Sequence, residues 1–218
     1  MGKNVYSLVL LDNVVDALDK LACERSISRS GLVNQILAEY LSCPTPENRI
    51  RDIFSCMEKI SDGTEYFQSC EPRGNSAVCF RSPLHYRYHP AVHYTLELSC
   101  KSGPFLGELH AFFRTQNSDL LECSGEFFRF WASLETKWIG SRFPEERVPC
   151  AAGAGRYIRR LCWPKSESDR TSERVAEAIL AYLNEIDSAL KTYFAGADGA
   201  NSSVEQHYLT YLKNAIIL

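Results

Sequence analysis

The segment NVYSLVLLDNVVDALDKLACERSISRSGLVNQILAEYL, residues 4–41, constrains the fold more than any other stretch of this chain. Residues 4–11 alternate imperfectly, as a strand would. After them Val14, Val15, Leu18, Leu21 and Ala22 stripe one face of a helix that Asp12 can cap. Ser26 to Ser28 interrupt the pattern, and Ser28 suits the N-cap of a second helix striped by Leu32, Val33, Ile36, Leu37, Tyr40 and Leu41. One strand and two short helices cannot bury both stripes, and a solitary strand leaves a row of backbone groups unpaired. A second copy answers both demands. Two strands pairing antiparallel would let four helices close over one face of the ribbon, so the expectation is an obligate homodimer, with higher oligomers open.

The strand VYSLVLL, the LDKLA that ends the first helix, and SISRSGLVNQILAEYL with Ser28-Arg29-Ser30 at its turn carry a resemblance. Over residues 3–43 the chain resembles the ribbon-helix-helix family of DNA-binding proteins. The resemblance implies a ribbon in the major groove of double-stranded DNA, alternate strand side chains facing base edges, and the second helix's N-terminus holding phosphate. Aligning on LDKLA turns Tyr6, Leu8 and Leu10 toward the helices and Val5, Ser7 and Val9 toward the groove. Lys3, Arg29 and Ser30 become the phosphate contacts. Here the chain departs from that family's pattern, because that face usually offers Arg, Lys, Thr, Asn or Gln to the bases. Ser7 can bond either kind of base edge, and Val5 or Val9 can touch a thymine methyl. Residues 1–43 hold Lys3, Lys20, Arg25 and Arg29 against Asp12, Asp16, Asp19, Glu24 and Glu39, a net of one negative charge where DNA-binding modules usually concentrate positive charge. An interaction protein that uses the ribbon only for dimerisation is therefore the alternative.

The 218 residues leave room for a second, larger domain, and the expected class is α+β. Residues 1–43 form the ribbon-helix-helix module, 44–63 a linker helix with Pro46 in its first turn, and 64–218 an α+β sensor or oligomerisation domain. Strands are predicted over about Ala77 to Leu84, Val92 to Cys100, Phe105 to Arg114 and Tyr157 to Trp163. Long helices are predicted over about Ser118 to Trp138 and Thr171 to Phe194, and a final helix over 203–217. Phe127, Trp131, Leu134 and Trp138 fall at core spacing. The apolar end AIIL should be docked, within the fold or on a partner chain.

The stretch HPAVHYTLELSCKSGPFLGELHAFFR reads as a hairpin turning at Ser102-Gly103. Counting outward pairs Glu97 with Glu108, Thr95 with His110, His93 with Phe112, and Leu96 with Leu109 on the opposite face. Facing carboxylates need neutralising, so Glu97, Glu108 and His110 are candidate metal ligands, set against the plainer reading of a sheet turning polar residues to water. Residues 141–165 carry Arg142, Arg147, Arg156, Arg159, Arg160 and Lys165 against Glu145 and Glu146, a net of four positive charges. On a strand Arg156 and Arg160 share a face, as candidates for an anionic ligand, while Arg159 points away.

Composition narrows the function further. The net charge of -3 gives no global basic footprint, so a nucleic-acid role must rest on a local patch. Nine cysteines scattered with no C-x-x-C pair, and no secretory or spanning segment at the start, suggest a cytoplasmic protein with reduced thiols and no membrane partner. No motif calls for a cofactor, and no recognisable catalytic spacing is present, so the expectation is not an enzyme. The expected function is a dimeric transcription regulator, a repressor acting by occupancy of its operator, with a small-molecule effector as a further partner.

Overall fold

The computed structural model describes residues 5–41, 45–61, 68–70, 76–87, 89–101, 103–196 and 199–218. Lys3 lies outside them. The first helical stripe forms α1 (Asp12–Glu24), with Leu11 and not Asp12 at its N-cap. The Leu11 carbonyl already accepts from the N–H groups of Val14 and Val15, so Asp12 sits inside the first turn, where its carboxylate meets the positive end of the helix dipole. Ser26 takes a positive φ of 52°, and the chain re-enters helix at α2 (Arg29–Tyr40). Ser28 caps it as expected, its Oγ accepting from the Gly31 N–H at 3.1 Å. Leu18, Ala22 and Leu32 form a small core, with Leu21, Ile27 and Val33 packed against it.

The chain divides into two compact units, residues 1–49 and 50–218. The third helix, α3 (Pro46–Ser61), starts from Thr45, whose Oγ1 accepts from the Asn48 N–H. Its Ile50, Ile53 and Met57 belong to the core of the second unit, so the helix expected as a linker is structural there.

The second unit is a mixed α+β fold. Strands β1 (Gln68–Cys70), β2 (Ala77–Pro83), β3 (Ala91–Leu98), β4 (Phe105–Phe113), β5 (Cys150–Gly153) and β6 (Arg156–Cys162) form one antiparallel sheet in the order β1-β2-β3-β4-β6-β5. The β3/β4 hairpin has the expected register, with Glu97 opposite Glu108, Thr95 opposite His110 and His93 opposite Phe112. Strands β1 and β5 were not anticipated: each is too short to show a period of two.

Side chains alternate across this sheet. Phe80, Val92, Tyr94, Leu96, Leu109, Ala111, Tyr157 and Leu161 face inward. They join one core with α3 and with α4 (Ser118–Ile139), α5 (Ser172–Phe194) and α6 (Ala200–Leu212). Asn117 and Thr171 cap α4 and α5, accepting from the N–H groups of Leu120 and Arg174. Trp138 departs from expectation: it is 41% exposed, its indole N–H donating to Glu205 on α6 at 2.9 Å. The final helix also ends earlier than expected. Lys213 and Asn214 tighten into turns on Thr210 and Tyr211, and Leu218 is buried beyond them.

Candidate nucleic-acid interface

Residues 5–11 of the first unit are exposed and adopt no regular secondary structure, so the expected strand is not present in the single chain. The physical reason is the lack of a ladder partner: an isolated strand gains no backbone hydrogen bonds to offset its ordering. Val5 and Val9 are fully accessible, and Ser7 between them is exposed too. Tyr6, Leu8 and Leu10, expected to face helices, are also exposed, as are Val14 of α1 and Ile36, Leu37 and Tyr40 of α2. Arg29 and Ser30 occupy the first turn of α2. The Arg29 guanidinium grips Asp19 of α1 through both Nε and an Nη, which spends its charge within the unit.

The second unit presents the sheet face that the helices leave open. Glu108 binds Arg160 from β6 at 3.0 Å, and His110 Nε2 lies 3.4 Å from the other Glu108 oxygen. Among the described residues no group of three acidic, histidine or cysteine side chains is placed to hold a metal. Thus the charge that answers Glu108 is a guanidinium from a strand distant in sequence. Arg156 and Arg160 do share this face, but Arg160 is engaged by Glu108 and also lies over Phe105, 5.4 Å from the ring centroid. Arg156 stands opposite Phe112.

Arg159 points the other way, into the core, where sequence reasoning left it without a role. It is 2% exposed, pairs with the buried Glu135 of α4 at 3.4 Å, lies 4.2 Å from the Tyr182 ring centroid and donates to the Leu218 backbone oxygen at 2.9 Å. Tyr157 donates to Glu135, and Trp131 donates to the Tyr182 hydroxyl. Burial raises the Glu135 carboxyl, with Arg159 and Tyr157 pulling it back down. A second buried polar group, Asp187 of α5, accepts from Ser82, Tyr94 and Lys191. The Asp187 network is internally satisfied, whereas in the other one Glu135 Oε1 and Arg159 Nε are buried without a hydrogen-bond partner among the described residues. The signal for Glu135 was present: it sits beside Leu134 and four residues after Trp131, on α4's inward stripe.

A cleft of about 390 Å³ runs beside α4 and β5, lined by Arg129, Ser133, Thr136, Arg147 and Cys150. A second of about 580 Å³ lies on α5 and α6, lined by Glu185, Ser188, His207, Thr210 and Tyr211. The described cysteines Cys23, Cys56, Cys79, Cys100, Cys123, Cys150 and Cys162 are free thiols. No described helix is long and apolar enough to cross a membrane. Comparisons with protein-family models, with curated proteins and with solved structures give no match to this chain.

Proposed function

We propose that this chain is a dimeric, cytoplasmic, sequence-specific regulator of transcription that binds double-stranded DNA through a ribbon-helix-helix first unit. The observation that carries the reading is the uncovered apolar surface of that unit. Leu8 is 62% exposed and Tyr6 79%, beside Leu10, Ile36, Leu37 and Tyr40, in a unit whose own core is only a few side chains. Apolar side chains spaced along one segment and two helices need a matching surface, and a second copy of the same segment supplies it with backbone partners as well. In the paired ribbon Val5, Ser7 and Val9 face the groove, and Lys3, Arg29 and Ser30 hold the backbone. The second unit senses a ligand or multiplies the dimer. Its Arg129/Arg147 cleft suits a small anionic effector, two guanidinium groups meeting two hydroxyls at a volume common for ligand sites.

The test is selection of bound fragments from the source genome by the full-length protein, then affinity on the best fragment across a salt series. Recovery of one palindromic or repeated site, with affinity falling steeply as salt rises, supports the regulator. No enrichment at low salt from a protein shown to be dimeric refutes it. The second reading, an interaction protein that uses its ribbon only to dimerise, is favoured by the Arg29–Asp19 pair and by the valines on the groove face. It predicts that second outcome.

A further inference from the structure

On its open face the sheet gathers cations around an aromatic pair. One cross-strand row holds Arg81 of β2, His93 of β3, Phe112 of β4 and Arg156 of β6. The His93 and Phe112 rings stack at 5.5 Å between centroids and 21° between planes. The Arg114 guanidinium lies 5.8 Å from the Phe112 centroid. Among the described residues no carboxylate forms an ion pair with Arg81, Arg114 or Arg156, whereas Arg160 is taken by Glu108. Partial burial, then Arg114 and Arg81, hold the His93 imidazole below its usual range. At neutral pH it is an uncharged ring beside Phe112. The acidic groups of this face, Glu97 and Glu108, lie four residues away along β3 and β4, leaving the arginine row cationic.

We infer that this face binds single-stranded nucleic acid, unpaired bases stacking on Phe112 and His93 and phosphates meeting Arg81, Arg114 and Arg156. An aromatic pair on a one-sided antiparallel sheet offers π-faces on which a base of any kind can extend the stack, and the flanking guanidinium groups follow the backbone. A duplex cannot use it, since its bases already stack on one another. Three interstrand gaps separate Arg81 from Arg156, about 14 Å, which exceeds the reach of one mononucleotide and runs along a strand. The row, not the Glu97 end, sets the path of that strand. This inference stands apart from the regulator reading, which places duplex DNA on the first unit.

The experiment is fluorescence anisotropy of the full chain with a labelled oligothymidylate of about 12 nucleotides, a length within the usual site size. It is run from about 50 to 200 mM salt beside a duplex of the same length. Phe112→Ala is expected to weaken single-strand binding at least about fivefold, the loss of one stacked base. Arg156→Ala, at an exposed position, is expected to flatten the salt slope by about 0.7. Arg174→Ala on α5 should change neither. The inference is overturned if the unmodified chain does not bind the oligonucleotide at low salt, or if Phe112→Ala and Arg156→Ala both bind as it does. It is also overturned if Phe112→Ala only dissociates a self-associated form, which would assign the face to a second copy. A chain that binds the single strand but selects no duplex site upholds this inference and defeats the regulator reading; the converse result does the reverse.

Discussion

Arg159 carries a full charge into a hydrophobic core, and its placement is tolerated because Glu135 answers it and a Leu218 backbone oxygen and the Tyr182 ring lie against it, leaving only Nε without a partner among the described residues. Truncating one partner leaves the other charge buried alone. Arg159→Met should therefore cost about 3–5 kcal/mol in urea unfolding at pH 8. The pH dependence has a definite sign. Burial already raises the Glu135 carboxyl above its ordinary 4.5, so the folded state holds that proton more tightly than the unfolded chain, and stability falls as pH rises through the raised value. Losing Arg159 raises that value further. The variant's deficit should thus be smaller at pH 5 than at pH 8, and equal deficits at both would show that Glu135 does not titrate in this way. In the first unit the paired charge is Arg29. If it serves phosphate, Asp19→Asn should tighten duplex binding by freeing it, and Arg29→Ala should weaken binding on all sequences and flatten the salt slope by about 0.9. Ser7→Ala should instead alter which sequences are preferred, as read by competition between duplexes.

Among the elements, β4 depends on Gly107. The register shifts between Phe105 and Gly107, and a Cβ at Gly107 would lie 2.1 Å from the Glu97 carbonyl oxygen and 2.9 Å from the Leu98 Cα. Both are backbone atoms of β3, so no side-chain rotation relieves the clash. Gly107→Ala should destabilise the second unit by about 1–3 kcal/mol, measured by urea unfolding monitored through tryptophan, while Gly103→Ala, with open space around it, should stay within about 0.5. The β3/β4 hairpin was readable because its partners are close in sequence: a short turn and a period of two leave only one register that keeps Leu96 and Leu109 on the same inward face. Alternation likewise separated Arg159 from Arg156 and Arg160. What alternation could not say is which distant element lies against each face. Arg160 meets Glu108 only because β6 pairs β4 across the intervening α4, and Arg159 is stable inside only because α4 brings Glu135 to it. Alternation placed Glu97, Glu108 and His110 on one face, but it could not show that Arg160 answers Glu108 there. Trp138 misled for a related reason, since helical spacing places it near the core stripe but Glu205 of α6 holds its N–H at the surface.

At the scale of the whole molecule, the two units satisfy their apolar surface differently, and that difference is measurable. The second unit has a core built from one sheet and four helices, with Trp131, Phe127, Tyr94 and Tyr157 fully buried. The first unit buries little beyond Leu18, Ala22 and Leu32 and leaves Tyr6, Leu8, Leu10 and Tyr40 in water. Folding that waits on a second copy is driven by mass action, so its midpoint rises with protein concentration, whereas a self-contained core melts at a fixed temperature. Calorimetry should then resolve a concentration-dependent transition from the first unit and a concentration-independent one from the second. Leu8→Asp places a charge where the paired ribbon would bury a methyl-rich side chain against the helices. It should convert the protein to a monomer in sedimentation, abolish the concentration dependence, and leave the second transition where it was. A Leu8→Asp chain that remains dimeric would mean that association runs through another surface, and Val5, Ser7 and Val9 would then have no ribbon from which to face a groove.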